Sequence, residues 1–185
     1  MTSQDEIDFY NEISDELKLV IDVGCQFDDH WRDINDQIIV HAFDPVSDRE
    51  SDDRFIFNKV ALGNEDGHLD FNSGYSRITS GGNEGNLEAD RQIQMIKLAD
   101  YIKYTKLSNI DLLKIDTESW DFEVIKGAED YIWDIKIIQV EHGWITYGYN
   151  DKFDDIINYL GDKFNYKSIG GHPQNIVFLN KNYDI

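Results

Sequence analysis

Four side chains of this chain stand where proton chemistry can be done: Asp116, Glu118, Glu141 and His142. The first two follow the apolar run Ile110-Asp111-Leu112-Leu113-Lys114-Ile115, and the second two follow Lys136-Ile137-Ile138-Gln139-Val140. Runs of that length and character make strands buried on both faces. In open α/β sheets, ligands sit at the carboxyl ends of such strands, so two consecutive strands would each deliver a carboxylate and a second polar group to one place. Histidine has an unperturbed pKa of about 6.5, which makes His142 the easiest general base at neutral pH. Asp116 would then orient whatever is bound. Three carboxylates and an imidazole can equally hold Mg²⁺ or Mn²⁺, which prefer oxygen-rich sites.

The elements that must position these groups are legible from periodicity. Residues 5–18 offer a partial apolar helical face in Phe9, Tyr10, Ile13 and Leu17. Strands are predicted over 19–24, 38–43, 54–62, 92–98, 110–115 and 136–140, with a short return strand at 68–71 after the turn Asn64-Glu65-Asp66-Gly67. Helices of two to three turns are predicted from 28 to about 38, on Trp31, Ile34 and Ile38, and within 151–163, on Phe153, Ile156, Ile157 and Leu160. A shorter helix spans 99–104. After Asp116-Thr117-Glu118-Ser119 the spacing turns helical, with Trp120, Val124, Ile125, Ala128 and Ile132 near one side and Gly127 weakening it. The chain closes on a hairpin, 166–169 and 176–179. Strands alternating with helices predict a mainly parallel α/β sheet, and no linker or repeat interrupts it, so residues 1–185 read as one domain.

Composition narrows the partners. Thirty-seven acidic against 17 basic residues give a formal charge of −20, a surface that repels phosphate backbones and anionic bilayers, so neither nucleic acid nor a membrane is expected. Cys25 is the only cysteine, which excludes an internal disulfide and a cysteine-based metal cluster. The polar, acidic start and the lack of a long apolar run fit a cytoplasmic protein. Nothing in the chain speaks to oligomeric state.

Asp44 lies 20 residues after Gly24, the separation at which an acid reaches ribose hydroxyls in doubly wound folds. The turn between, Gly24-Cys25-Gln26-Phe27-Asp28-Asp29, lacks the further glycines that admit a pyrophosphate and carries two carboxylates that would repel one. A nucleoside without phosphate is indicated, and S-adenosylmethionine, whose sulfonium gains from nearby carboxylates, answers to that. The alternative role for Asp44 is to open the turn before Pro45.

The segments IDVG, HAFDP, KVALGNEDG, IKLADYI, LLKIDTES-DFEVIKGAE and IIQVEH, in this order, resemble the FkbM family of S-adenosylmethionine-dependent methyltransferases. The resemblance implies a Rossmann-like seven-stranded sheet and O-methylation, commonly of sugar or polyketide hydroxyls. It places Asp22 and Gly24 in the cofactor-strand motif, flanked by Cys25, and Asp44 with Pro45 at the ribose. Ala61 falls on the adenine-side strand, and Asp116 and Glu118 in the acidic motif. The chain departs from the family pattern at Cys25, Gln26 and Phe27, where an asparagine and a further glycine are usual, in its short first helix, and at Ser119, which replaces a glycine.

Acceptor contacts are expected from two places. Residues 72–90 are rich in Gly, Ser and Asn and read as a surface loop or a lid, with Tyr75 and Arg77 as its contacts. Trp144, with Tyr147 and Tyr149, suits a sugar ring or packs beneath the next helix. Two other readings stand beside a sugar O-methyltransferase. One is a methyltransferase fold retired to an interaction module, and the other is a nicotinamide-dependent oxidoreductase. Binding of S-adenosylhomocysteine, of nothing, or of a dinucleotide separates the three.

Overall fold

The computed structural model describes residues 3–26, 30–74, 77–78, 88–118, 120–142, 152–170 and 174–184, with backbone alone at 77, 78, 142 and 174. Its main sheet is built from β1 (Leu19–Val23), β2 (Ile39–Phe43), β3 (Phe55–Asn58), β8 (Leu112–Ile115), β9 (Ile137–His142), β10 (Phe164–Gly170) and β11 (Gln174–Asn180). The spatial order is β10-β11-β9-β8-β1-β2-β3. The five strands from β9 to β3 are parallel, and the final hairpin is antiparallel. The seven-stranded, mainly parallel α/β sheet with its closing hairpin is therefore as the sequence predicts.

Pleating divides the strands between two cores. Val20, Leu112, Ile137 and Val177 share a buried cluster with Phe9 and Tyr10 of α1 (Gln4–Glu12) and Trp31 of α2 (Trp31–Ile34). Ile21, Leu113, Ile138 and Phe178 share the other with residues of α3 (Leu98–Thr105), α4 (Asp121–Gly127) and α5 (Phe153–Leu160). The start of α1 is fixed by Ser3, whose hydroxyl accepts from Glu6 N–H while the Glu6 carboxylate accepts from Ser3 N–H.

Three predicted elements come out differently. The helix expected from 28 to about 38 is a single turn, Trp31–Ile34, ended where Asn35 adopts extended backbone. The helix expected over 5–18 stops at Glu12 and gives way to a 3₁₀ turn at 14–16. The strand expected over 54–62 is two strands. Val60 N–H donates to Asn58 C=O (2.9 Å), and this turn sends β4 (Ala61–Gly63) away from β3 into a second sheet. There β4 pairs parallel with β7 (Arg91–Lys97), and β7 pairs antiparallel with β5 (Gly67–Asn72), which carries the short β6 (Arg77–Ile78) on its other edge. The return strand thus pairs with the strand after the 72–90 loop and not with the one before it. Period-two patterning marks strands but not partners.

Gly127 is where α4 presses on β4. A Cβ there would lie 1.8 Å from the Gly63 carbonyl oxygen, so the glycine seats the helix against the second sheet as well as ending it.

Candidate active site

β1, β2 and β8 end side by side, and their exits meet at one glycine. Gly24 has φ +81°, and a Cβ on it would stand 1.8 Å from the Asp116 carbonyl oxygen. No other residue fits both the left-handed backbone and the contact. The turn is then drawn onto β2, since the Phe43 carbonyl accepts from Gly24 N–H (2.8 Å) and Cys25 N–H (3.2 Å). On the other side Asp116 N–H donates to Val23 C=O (2.9 Å).

These exits form one end of an open cleft. Gly24, Asp44, Pro45 and Asp116 line it there, Ala61 and Leu62 of β4 with Phe71 and Ile93 of the second sheet give an apolar wall, and Trp120 with Glu118 closes the turn side. Among its described lining residues are three carboxylates and no lysine or arginine. An anionic ligand would be repelled and a cationic or neutral one tolerated.

Asp44 carries out the turn-opening role that the sequence leaves open to it. Its Oδ1 accepts from Val46 N–H (2.9 Å) and Ser47 N–H (2.6 Å), which folds the turn after β2. Its Oδ2 accepts from Gln26 N–H (3.2 Å), tying that turn to the one after β1. The carboxylate has about four acceptor positions, so a ligand donor can still be taken at the cleft edge.

Two predicted cofactor residues lie behind the cleft. Asp22 is fully buried and accepts from Trp31 Nε1 (2.7 Å), with Lys114 Nζ at 3.4 Å. Cys25 packs among Tyr10, Trp31 and Val40, and its thiol is pushed up in pKa by burial and then by Asp22 and Asp44. Neither side chain lines the cleft, because strand alternation points Asp22 into the α1 side and the turn folds Cys25 under it.

The acidic turn after β8 is held by a residue that the sequence reading passed over. Asp121, in the first turn of α4, is buried and accepts from Thr117 N–H (3.0 Å) and Thr117 Oγ1 (2.6 Å). That reach-back bends the chain so that Glu118 sits at φ +53°. Burial, opposed by the Thr117 hydrogen bonds and helped by Asp116 and Glu118, pushes the Asp121 carboxyl up to about 7. The signal was available as an acid four residues after Thr117, where it can bond back across the turn.

Glu141, at the end of β9, joins the same electrostatic group. Burial, then the charges of Asp116, Glu118 and Asp121, push its carboxyl up to about 8. Asp116 keeps 31% of its side chain exposed, and burial raises its pKa against the pull of Lys114 (3.9 Å). Four carboxylates, from the turn after β8, the start of α4 and the end of β9, therefore act on one another's protonation, with Asp121 raised to about 7 and Glu141 to about 8. For His142 only the backbone is described, at the end of β9 opposite Gln174. Arg77 is placed only as backbone opposite Asn72, and Tyr75, Ser119, Trp144, Tyr147 and Tyr149 lie outside the described residues. Among the described residues no three His, Cys, Asp or Glu side chains form a group able to hold a metal ion, and no helix is long and apolar enough to cross a membrane.

The model of the methyltransferase FkbM domain matches residues 29–168. The chain belongs to this family. It is a methyltransferase, and reading it as a non-catalytic module gains no support. No curated protein matches the chain. The match takes in Asp44, Ala61 and the whole 116–121 turn of this FkbM methyltransferase, whereas Gly24 precedes it and owes its place to the packing against Asp116.

Proposed function

We propose that this FkbM methyltransferase moves the methyl group of S-adenosylmethionine onto a hydroxyl of a sugar, glycan or similar small neutral acceptor. The observation that carries the reading is the cleft at the ends of β1, β2 and β8, acidic on one side, apolar on the other, and free of basic groups among its described lining residues. Such a lining fits an adenosine bearing a sulfonium and disfavours a dinucleotide's pyrophosphate.

When bound, S-adenosylmethionine supplies an electrophilic methyl on a sulfonium sulfur. The remaining tasks belong to the protein. Asp44 takes the ribose hydroxyls with its remaining acceptor capacity, and Ala61 and Leu62 border the adenine. The charges of Asp44, Asp116 and Glu118 favour the cation. Asp116 and Glu118 orient the acceptor hydroxyl, and Glu141 or the adjoining His142 takes its proton. A carboxyl titrating near 8 is an effective base near neutral pH, because its basicity and its ionised fraction are both appreciable there. Tyr75, Arg77 and Trp144 are the acceptor contacts on the loop side.

Calorimetry with S-adenosylhomocysteine tests the cofactor directly. Binding is expected for the parent, and Asp44→Ala should weaken it by about 1.5–3 kcal/mol through loss of charge-assisted hydrogen bonds. Unchanged affinity in the variant, or tighter binding of a nicotinamide dinucleotide, would overturn the reading.

A further inference from the structure

The middle of the main sheet contains a lysine that the chemistry above leaves unused. Lys114 is 2% exposed, and burying an ammonium ion costs several kcal/mol unless it is paired. Register places it in one row across the sheet, between Asp22 of β1 and Gln139 of β9. Its Nζ lies 3.4 Å from Asp22 Oδ1 and 3.9 Å from Asp116 Oδ2. The row is covered by α1, whose Glu6 Oε1 accepts from Gln139 Nε2 (2.9 Å) and whose Tyr10 hydroxyl donates to Gln139 Oε1 (2.7 Å). Gln139 Nε2 also reaches Asn175 Oδ1 (3.2 Å) on β11.

We propose that Lys114 is a positioning residue of the active site, a buried cation that holds the Asp116 carboxylate ionised and turned toward the sheet. Among the described residues it is the one cation in an ion pair with Asp116. Its other partner, Asp22, is anchored by Trp31 Nε1, so the ammonium is fixed from behind and meets Asp116 from the sheet interior. Among the described residues, the other charged groups in this cluster with Asp116 are acidic: Asp22 on β1, Glu6 on α1, Glu118 in the turn, Asp121 on α4 and Glu141 on β9. Without Lys114 that crowd would favour a protonated Asp116. Burial works against the charged amine, and the surrounding groups, Asp22 and Asp116 foremost with Tyr10 and Glu6, together more than offset it. The inference rests on the reading of Asp116 as a cleft residue that acts in its charged form.

Lys114→Met alone would strand Asp22 and endanger folding, so the comparison is between Asp22→Asn and Asp22→Asn/Lys114→Met, which differ only at Lys114. Lys114→Gln in the same background serves if methionine does not fold. Carbon-13 NMR of side-chain carboxyls, with the Asp116 signal assigned by its loss in Asp116→Asn, reads the proton affinity. Removing the lysine should raise the Asp116 proton affinity at least about tenfold and weaken S-adenosylhomocysteine binding by a similar factor. An Asp116 midpoint equal in the two variants overturns the proposal, whatever happens to their thermal stability. If the parent does not bind S-adenosylhomocysteine, the cofactor reading fails, and the Asp116 titration still decides the role of Lys114.

Discussion

Asp121→Asn should stabilise this protein at alkaline pH while impairing its chemistry. The parent carboxyl is raised from 3.8 to about 7 by burial and by neighbouring acids. A raised folded-state pKa means the folded chain holds the proton more tightly than the unfolded one. Stability from that proton is complete below about pH 4 and is lost as pH rises to about 7. At about 1.4 kcal/mol per pH unit, the interval from about pH 5.5 to 7 contains about 2 kcal/mol of loss assignable to Asp121. Asparagine is nearly isosteric, still accepts from Thr117 N–H and Oγ1 through its carbonyl, and does not titrate. Urea unfolding of parent and variant at about pH 5.5 and about pH 8.5 should therefore show the variant gaining about 2 kcal/mol over the parent between the two conditions. A gain of about 1 kcal/mol is the smallest consistent with the burial. A stability difference that does not change with pH would refute the shared-charge account of the 116–121 turn.

Two other consequences are direct. Gly24→Ala should cost about 3 kcal/mol or more and abolish S-adenosylhomocysteine binding, since its methyl would meet the Asp116 carbonyl in a backbone region alanine avoids; a parent-like melting temperature would contradict the packing described. Once an acceptor is in hand, turnover should rise with pH through about 8 as Glu141 ionises, and Glu141→Gln should lower it by roughly 10²- to 10³-fold and flatten that limb. A variant with the parent's pH profile would transfer the base role to His142.

What the chain determines by itself is the order of its elements and the ends of its strands. Apolar runs such as 110–115 and 137–140, short and bounded by polar residues, read as strands in a covered sheet, and the polar residue that follows each then lies at a strand end. Asp44, Asp116, Glu118 and Glu141 therefore fall at one edge of the sheet, and the order and spacing of the six segments, with the long stretch from the acidic turn through Gly127, mark the family. Tertiary structure alone decided the rest. Whether 54–62 is one strand or two depends on pairing with β7, which lies some 30 residues further on and leaves no local trace. The lysine inside the run 110–115 is silent in sequence, because only the register of β1, β8 and β9 shows that Asp22 and Gln139 flank it. Asp22 and Cys25 adjoin the cofactor turn in sequence yet face the α1 side, Asp22 because side chains alternate along β1 and Cys25 because the turn after Gly24 folds it under. The proton affinities of Asp121 and Glu141 follow from burial and from neighbours on different elements. Spacing places charges along a chain, and only packing brings them close in space and removes the water between them.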